Sequence, residues 1–517
     1  MSTDRTLVDM GQHVTVAIIG TGFSGLCMAI KLKEAGIDDF VLLERAGAIG
    51  GTWRDNTYPG CACDVPSHLY SLSFEPSASW SRAYAPQSEI RAYLERCFDK
   101  YHVRPHVRFH AKVVSAEFED ERWRIRIEGG EDLTADILVS GVGGLSNPAY
   151  PKLRGRERFR GEQFHSALWN HDYDLTGKRV AVIGTGASAI QFIPEIQPKV
   201  GQLTLFQRTA PWIIRRDDRA FHPVEKFLFE KVPAVRWLYR QKIYWQHEWR
   251  AFGFTIYPPM LKAAALMGKA NIRRSIKNPE LRKKVTPNYT PGCKRILKSD
   301  DYYQSLDKPN VEVLTTGIAE VKEHSIVTDD GREVPVDAII YGTGFAVHEY
   351  IGPVQIRGRD GADLATAWKD GAEAYLGTTI SGFPNLFMLT GPNTGLGHNS
   401  MVYMIESQVH YVMECIKLMR ERSLSFVDVR EDLQKQYNES LQNRLKGSVW
   451  STGCASWYLN EQGKNTTLWP SFTFAFRART RRFVPADYEL GKSKLHIVKP
   501  KPKERATAKL NGRANPA

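Results

Sequence analysis

Nowhere in the 517 residues does an apolar run reach the roughly 18 to 20 positions that a membrane-spanning helix needs, so no integral membrane segment is expected. The first residues also lack a basic stretch followed by an apolar segment, and a cytoplasmic protein is the expectation. Cysteine is sparse: the seven present are an odd number scattered over a long chain, which does not look like a disulfide framework and fits a reducing compartment. Cys61 and Cys63 are spaced CxC and not CxxC, so the redox dithiol of a pyridine nucleotide-disulfide reductase is missing. No repeat of fixed short period is visible, and no metal site is expected.

What is present is material for a large core. With 42% hydrophobic and 25% charged residues the chain has the composition of a soluble globular protein. Single cores stop growing near about 250 to 300 residues, so two or three domains are expected. The net charge is +13, and about half of it falls in the last 26 residues, where KSKLHIVKPKPKERATAK reads as a solvated, Pro-broken tail. Charge placed there does not argue for nucleic acid, and no nucleic acid partner is expected.

The chain has an α/β grammar that occurs twice. VTVAIIG (14–20) is a nearly continuous apolar run, as a buried parallel strand should be; AIKLKEAG (29–36) has helical spacing and VLLE (41–44) supplies the next strand. The same order restarts at Lys178 with RVAVIG, a helical AIQFIPEIQ and LTLFQ (203–207). WRIRIE and DILVSGVGG read as strands that finish the first module. From 217 to 292 long helical segments rich in Trp, Tyr, Phe, Lys and Arg interrupt the second module before VEVL and DAIIYGTGF return to strand character. Their aromatic stripe reads first as packing between helices, with a substrate channel or a membrane-facing surface as alternatives. The expected fold is two Rossmann-like dinucleotide-binding domains with a helical insertion in the second.

Gly20, Gly22 and Gly25 form GxGxxG between a strand and a helix, and Glu44 ends the next strand. The first glycine permits a tight turn, the second lets backbone approach a pyrophosphate, and the third lets helix and strand pack closely. The phosphate charge then meets the positive helix end, and Glu44 can accept from ribose hydroxyls. In the second module Gly184, Thr185, Gly186, Ala187, Ser188 and Ala189 repeat the placement, but the next strand ends in Gln207, Arg208 and Thr209. A carboxylate there would repel a 2′-phosphate, whereas the Arg208 guanidinium can pair with it, so NADPH is favoured over NADH. FAD at the first site and NADPH at the second is the economical reading.

These residues resemble the Baeyer-Villiger flavoprotein monooxygenases, the class B FAD/NADPH enzymes, over most of the chain. Phe159, Gly161, His165 and Trp169 in FRGEQFHSALWN fit the family fingerprint FxGxxxHxxxW; Asn170 stands where the family commonly has Pro or Asp. GGTWRDNTYPGCACD (50–64) is similar to the family's GGxW, YPG and flavin-side Asp, which makes Asp64 the carried-over residue. CKR at 293–295, followed by DDYY, is similar to the segment with the active-site arginine, here Arg295, and a lysine near the NADP phosphate, here Lys294. YGTGF (341–345) resembles the ATGF element, and SWYLN (456–460) resembles a loop whose Trp, here Trp457, covers the cofactor in some members.

The resemblance implies that Gly51, Thr52, Trp53, Phe23, Ser24, Tyr70, Val113 and Met401 also border the cofactors, and that Arg295 and Asp64 are catalytic. It implies oxidation of a ketone to an ester or lactone with NADPH and O2 by way of a C4a-peroxyflavin. The nearest alternative is an N- or S-oxygenating flavin-containing monooxygenase, for which a sulfide would be a substrate. His165 reads as a hydrogen-bonded linker histidine that sets hinge geometry. The implied division is an FAD domain at 1–145 and 346–490, a linker at 146–175, an NADP domain at 176–216 and 293–345, the helical insertion at 217–292 and a basic tail at 491–517. The identity of the ketone and the oligomeric state stay open.

Overall fold

The computed structural model describes residues 12–454 and 456–492. The basic end of the chain lies outside them, save for Gly491 and Lys492, which close the strand Tyr488–Lys492. Two larger sheets, one mixed and one parallel, organise the rest. In the first, His13–Ile19 lies between Leu133–Ser140 and Phe40–Leu43, parallel to both, with Val16 facing Phe40 and Ile137. Arg122–Ile127 and Val113–Glu119 continue this sheet antiparallel from Leu133–Ser140, and Gln355–Arg357 closes that edge. Leu386–Met388 also pairs with Leu133–Ser140, so residues nearly 250 positions later return to the first module.

The central strand is apolar on both faces because both are covered. Val16 and Ile18 join a core that contains Leu26 and Ile30 of the helix Phe23–Glu34, while Ala17 and Ile19 join a second core around Trp123 and Phe383. The first core also holds Val180, Val182, Leu203 and Leu205 of the other sheet, so one apolar body joins the two modules. The helix Met401–Arg422 packs along Phe23–Glu34 and seals it.

The second sheet runs Val311–Leu314, Gln202–Phe206, Arg179–Ile183, Ala338–Tyr341, Glu162–His165, all parallel. Its last strand lies inside the segment read as a linker. EQFH is too short and too polar to signal a strand, yet it pairs with Ala338–Tyr341 residue by residue. Between Gln202–Phe206 and Val311–Leu314 come the helices Pro223–Lys231, Pro233–Glu248, Arg250–Thr255, Lys262–Ser275 and Pro279–Val285. The expectation of no disulfide is corrected: Cys293 and Cys454, 161 residues apart, are bonded with their Cα atoms 6.2 Å apart. Sequence spacing carries no sign of such a pair, because folding alone brings the two loops together. Cys27, Cys61, Cys63, Cys97 and Cys415 are free and buried.

Candidate active site and dinucleotide clefts

The first Gly-rich turn is tight for a steric reason. Gly20 has φ 98°, and a Cβ on Gly25 would lie 2.0 Å from the Gly20 carbonyl oxygen. Gly22 differs, since the nearest atom to a Cβ there would be the Gly51 Cα at 3.9 Å. Its outer face is therefore open to a ligand, and the helix Phe23–Glu34 begins there with no side-chain cap and no acid in its first turn. Uncapped N–H groups at a helix start are an anion site. A Cβ on Gly51 would lie 3.1 Å from Gly22, which shows how the GGTW loop comes to border this turn.

Beyond the turn Phe23, Trp53 and Tyr70 form one aromatic group. Tyr70 meets Phe23 edge-on at 5.2 Å and Trp53 at 5.6 Å, and Trp53 Nε1 donates to the Tyr70 hydroxyl at 3.2 Å. Thr52 starts the short helix Thr52–Asp55. Glu44 is buried, accepting from Thr21 Oγ1, from the Ala46 N–H at 3.0 Å and from Arg54 at 2.7 Å. An ionised carboxylate has about four acceptor positions, so it can still take a ribose hydroxyl. Val113 opens its strand two residues after Ala111, whose N–H bonds to the Glu44 carbonyl. Met401 begins the helix capped by Ser400 and is partly buried against the core that holds Phe23 and Trp53. This cradle suits FAD: an open glycine and bare amides for the pyrophosphate, an acid at the ribose end and an aromatic wall at the other.

The second turn has the same construction. Gly184 has φ 104° and a Cβ on it would meet the Gly342 carbonyl at 2.4 Å, while Gly186 is open. Ala189 is tolerated at the third position because it faces Gly342, whose own Cβ would lie 3.0 Å from it. The helix Ala189–Ile196 starts after Ser188 without a side-chain cap, and Thr185 Oγ1 donates to the Thr209 carbonyl at 3.1 Å. Arg208 is exposed at the end of the next strand. Burial first, and then the like charge of Arg208, push the Lys294 ammonium below the ordinary lysine value. Among the described residues neither cation is in an ion pair with a carboxylate. Two cations that repel one another and lack an acid make a phosphate-sized anion site, which fits NADPH. Replacing Arg208 with Ala is expected to narrow the kcat/KM preference for NADPH over NADH by roughly 10- to 100-fold, the span of a lost charged hydrogen bond. Equal kinetics with the two coenzymes before and after the change would place the phosphate elsewhere.

Between the clefts stands an ion pair formed by residues 231 apart. Arg295 donates to Asp64 Oδ2 through Nη2 at 2.6 Å and Nε at 3.1 Å, with both side chains about one-third exposed or less. Asp64 holds the Arg295 guanidinium more firmly protonated than an ordinary arginine. Burial acts to raise the Asp64 carboxyl, but the attraction of Arg295 outweighs it and the net shift is downward. The pair is thus permanently charged in the working pH range.

Sequence reasoning missed Lys298. Its Nζ donates to the Asp64 carbonyl at 3.3 Å and to the Tyr84 hydroxyl at 3.5 Å, and burial, then nearby Arg250, push it down to about 8. Three residues after Arg295 in CKRILK, it looked like one more cation in a basic segment. Because its proton leaves near pH 8 and not near the ordinary value of about 10.4, raising the pH through 8 removes a positive charge beside Arg295. We expect product formed per NADPH oxidised to fall with an inflection near pH 8, and Lys298→Met to flatten that step. An unchanged inflection in the variant would assign it to another group.

The C-terminal loop places two aromatic rings side by side. Trp457 is 43% exposed with its ring against Tyr458, and Tyr458 is the buried member. Burial pushes the Tyr458 hydroxyl up to about 12 against the pull of Arg295, so Tyr458 is the ring that feels the ion pair. The Cys293–Cys454 bond ties this loop to the segment that carries Arg295.

The fingerprint residues pack into the fold. A Cβ on Gly161 would lie 2.4 Å from the Asp337 carbonyl, Phe159 is buried, and Trp169 packs on Phe164 and Phe192 at 5.1 and 5.3 Å. His165 Nδ1 accepts from the Ala167 N–H at 3.1 Å, and burial pushes the imidazole down to about 4, so it is neutral.

The family profile described as pyridine nucleotide-disulphide oxidoreductase matches residues 17–226. A Baeyer-Villiger monooxygenase of Pseudomonas aeruginosa is 51% identical over 98% of this chain and 97% of its own length. Another from Streptomyces coelicolor is 48% identical over 93% of each. Among solved structures, an oxidized steroid monooxygenase bound to NADP aligns with TM-score 0.83 at 30% identity, covering 93% of this chain and 100% of that one. The OTEMO complex with FAD and NADP aligns with TM-score 0.83 at 26% identity over 92% and 99%. No helix among the described residues is long and apolar enough to cross a membrane. With two dinucleotide clefts around a partly buried cation, and relatives of this likeness along nearly its whole length, the chain belongs to the Baeyer-Villiger monooxygenases, enzymes dependent on FAD and NADPH.

Proposed function

We propose that this enzyme inserts one atom of O2 beside the carbonyl of a ketone, giving an ester or lactone, with Arg295 as the residue that stabilises the developing oxyanion. The observation that carries the assignment is the Arg295–Asp64 pair: a partly buried guanidinium, held from one side by a carboxylate, with donors left over. FAD, when bound, supplies the activation of O2, and NADPH supplies the hydride. Asp64 positions the guanidinium and keeps it charged. Lys298, bonded to the Asp64 carbonyl, adds positive potential, and Tyr70 with Trp53 walls the cleft on the flavin side. Arg208, Thr209 and Lys294 grip the 2′-phosphate of NADPH. We assign 1–145 with 346–490 to FAD and 176–216 with 293–345 to NADP, and place the enzyme in the cytoplasm, where NADPH is supplied.

Cyclic ketones are the substrates we favour. Support comes from the likeness to solved structures of a steroid monooxygenase and a cyclohexanone monooxygenase. Incubating the holoenzyme with NADPH and air against cyclic, linear and aryl ketones and one thioether, with product analysis, tests the reading. Ester or lactone formed in step with NADPH oxidation is the expected result. Tight coupling with the thioether and none with any ketone would instead assign soft-atom oxygenation.

A further inference from the structure

The helix Pro233–Glu248 presents an outward stripe that none of the described residues covers. Leu238, Lys242, Trp245 and Trp249 follow one another at spacings of four, three and four, so they share one face, and all four are exposed. Leu238 is 59%, Trp245 57% and Trp249 65% exposed. The patch extends through ring contacts, with Phe474 6.2 Å from Trp245 and Phe252 5.7 Å from Trp249, then on to Tyr257. Large apolar surfaces left in water mark a binding face.

Charge selects the occupant. From 231 to 279 the sequence has ten lysines and arginines and one acid, Glu248. That acid is buried and hydrogen-bonded by Asn399 and Thr473, so it contributes little to the surface. Lys242 lies within the stripe, and Lys262, Lys269 and Arg273 stand exposed on the helix Lys262–Ser275. Tryptophans flanked by cations, on a helix too short and too polar to span a bilayer, match the interfacial face of a peripheral membrane protein. We propose that this face docks reversibly on an anionic lipid surface.

Full-length holoenzyme sedimented with vesicles of phosphatidylcholine, with or without an equal part of phosphatidylglycerol, is the test. Binding to the anionic vesicles is expected, with a blue shift of tryptophan emission and release at about 1 M salt, where screening shortens to about 3 Å. Trp245→Ser with Trp249→Ser should lower the partition coefficient at least about tenfold while NADPH oxidation in solution stays as it was. Anionic binding unchanged in that double variant would locate the attraction in the basic end of the chain and overturn the proposal. So would absence of binding, or a dimer in solution that the same double variant dissolves, since a second copy would then be what covers the stripe.

Discussion

Arg295→Ala should still oxidise NADPH but form ester about 100 to 1,000 times more slowly, the cost of removing a donor aimed at a developing oxyanion. The two half-reactions part because hydride transfer generates no anion at the substrate carbonyl. Reducing equivalents should then leave as hydrogen peroxide. Measuring NADPH consumption, peroxide and ester together separates this from general damage. Arg295→Lys should recover only part of the rate, since an ammonium can replace the charge but lacks the planar fork that holds Asp64 through two donors while aiming the rest elsewhere. Asp64→Asn leaves a near-isosteric acceptor without the charge, and is expected to act through Arg295 by loosening its position, so kcat should fall more than KM rises. Ester formation by Arg295→Ala at the rate of the unmodified enzyme would remove the residue from the chemistry.

The features legible in the sequence are those whose causes are local. Both Gly-rich turns were readable because a tight turn, an open second glycine and a buried strand are all written within about 30 contiguous residues. The helices between 217 and 292 were equally visible, since periodicity is a local property. The ion pair was not derivable in that way: Asp64 and Arg295 are 231 residues apart, and only the family likeness joined them. Lys298 and the Cys293–Cys454 bond had no such help. Nor did the edge strand Glu162–His165, whose pairing is imposed by Ala338–Tyr341 and not by its own composition. In the C-terminal loop the likeness pointed to Trp457, and only the fold shows that its neighbour Tyr458 is the buried ring. Tertiary contacts decide such cases, and they cannot be read from one stretch of chain.

Two glycines three positions apart should fail in different ways. Gly25→Ala places a methyl 2.0 Å from one backbone atom of Gly20 and 3.0 Å from another, and neither can swing aside as a side chain would. The helix Phe23–Glu34 must then shift off the turn, within a segment where nine of twelve residues are buried. Overpacking of this kind costs about 1 to 3 kcal/mol, so the apoprotein should melt several degrees lower and purify without yellow colour. Gly22→Ala meets only the Gly51 Cα at 3.9 Å, so its apoprotein should melt like the unmodified one. Its methyl instead stands on the open face toward the pyrophosphate, and FAD affinity should drop, with little stabilisation when FAD is added. Comparing melting curves of the two apoproteins with and without FAD therefore separates the turn's packing from its ligand contact. If Gly22→Ala retained flavin as tightly as the unmodified chain, the pyrophosphate would not approach that backbone, and the first cleft would have been assigned to the wrong ligand.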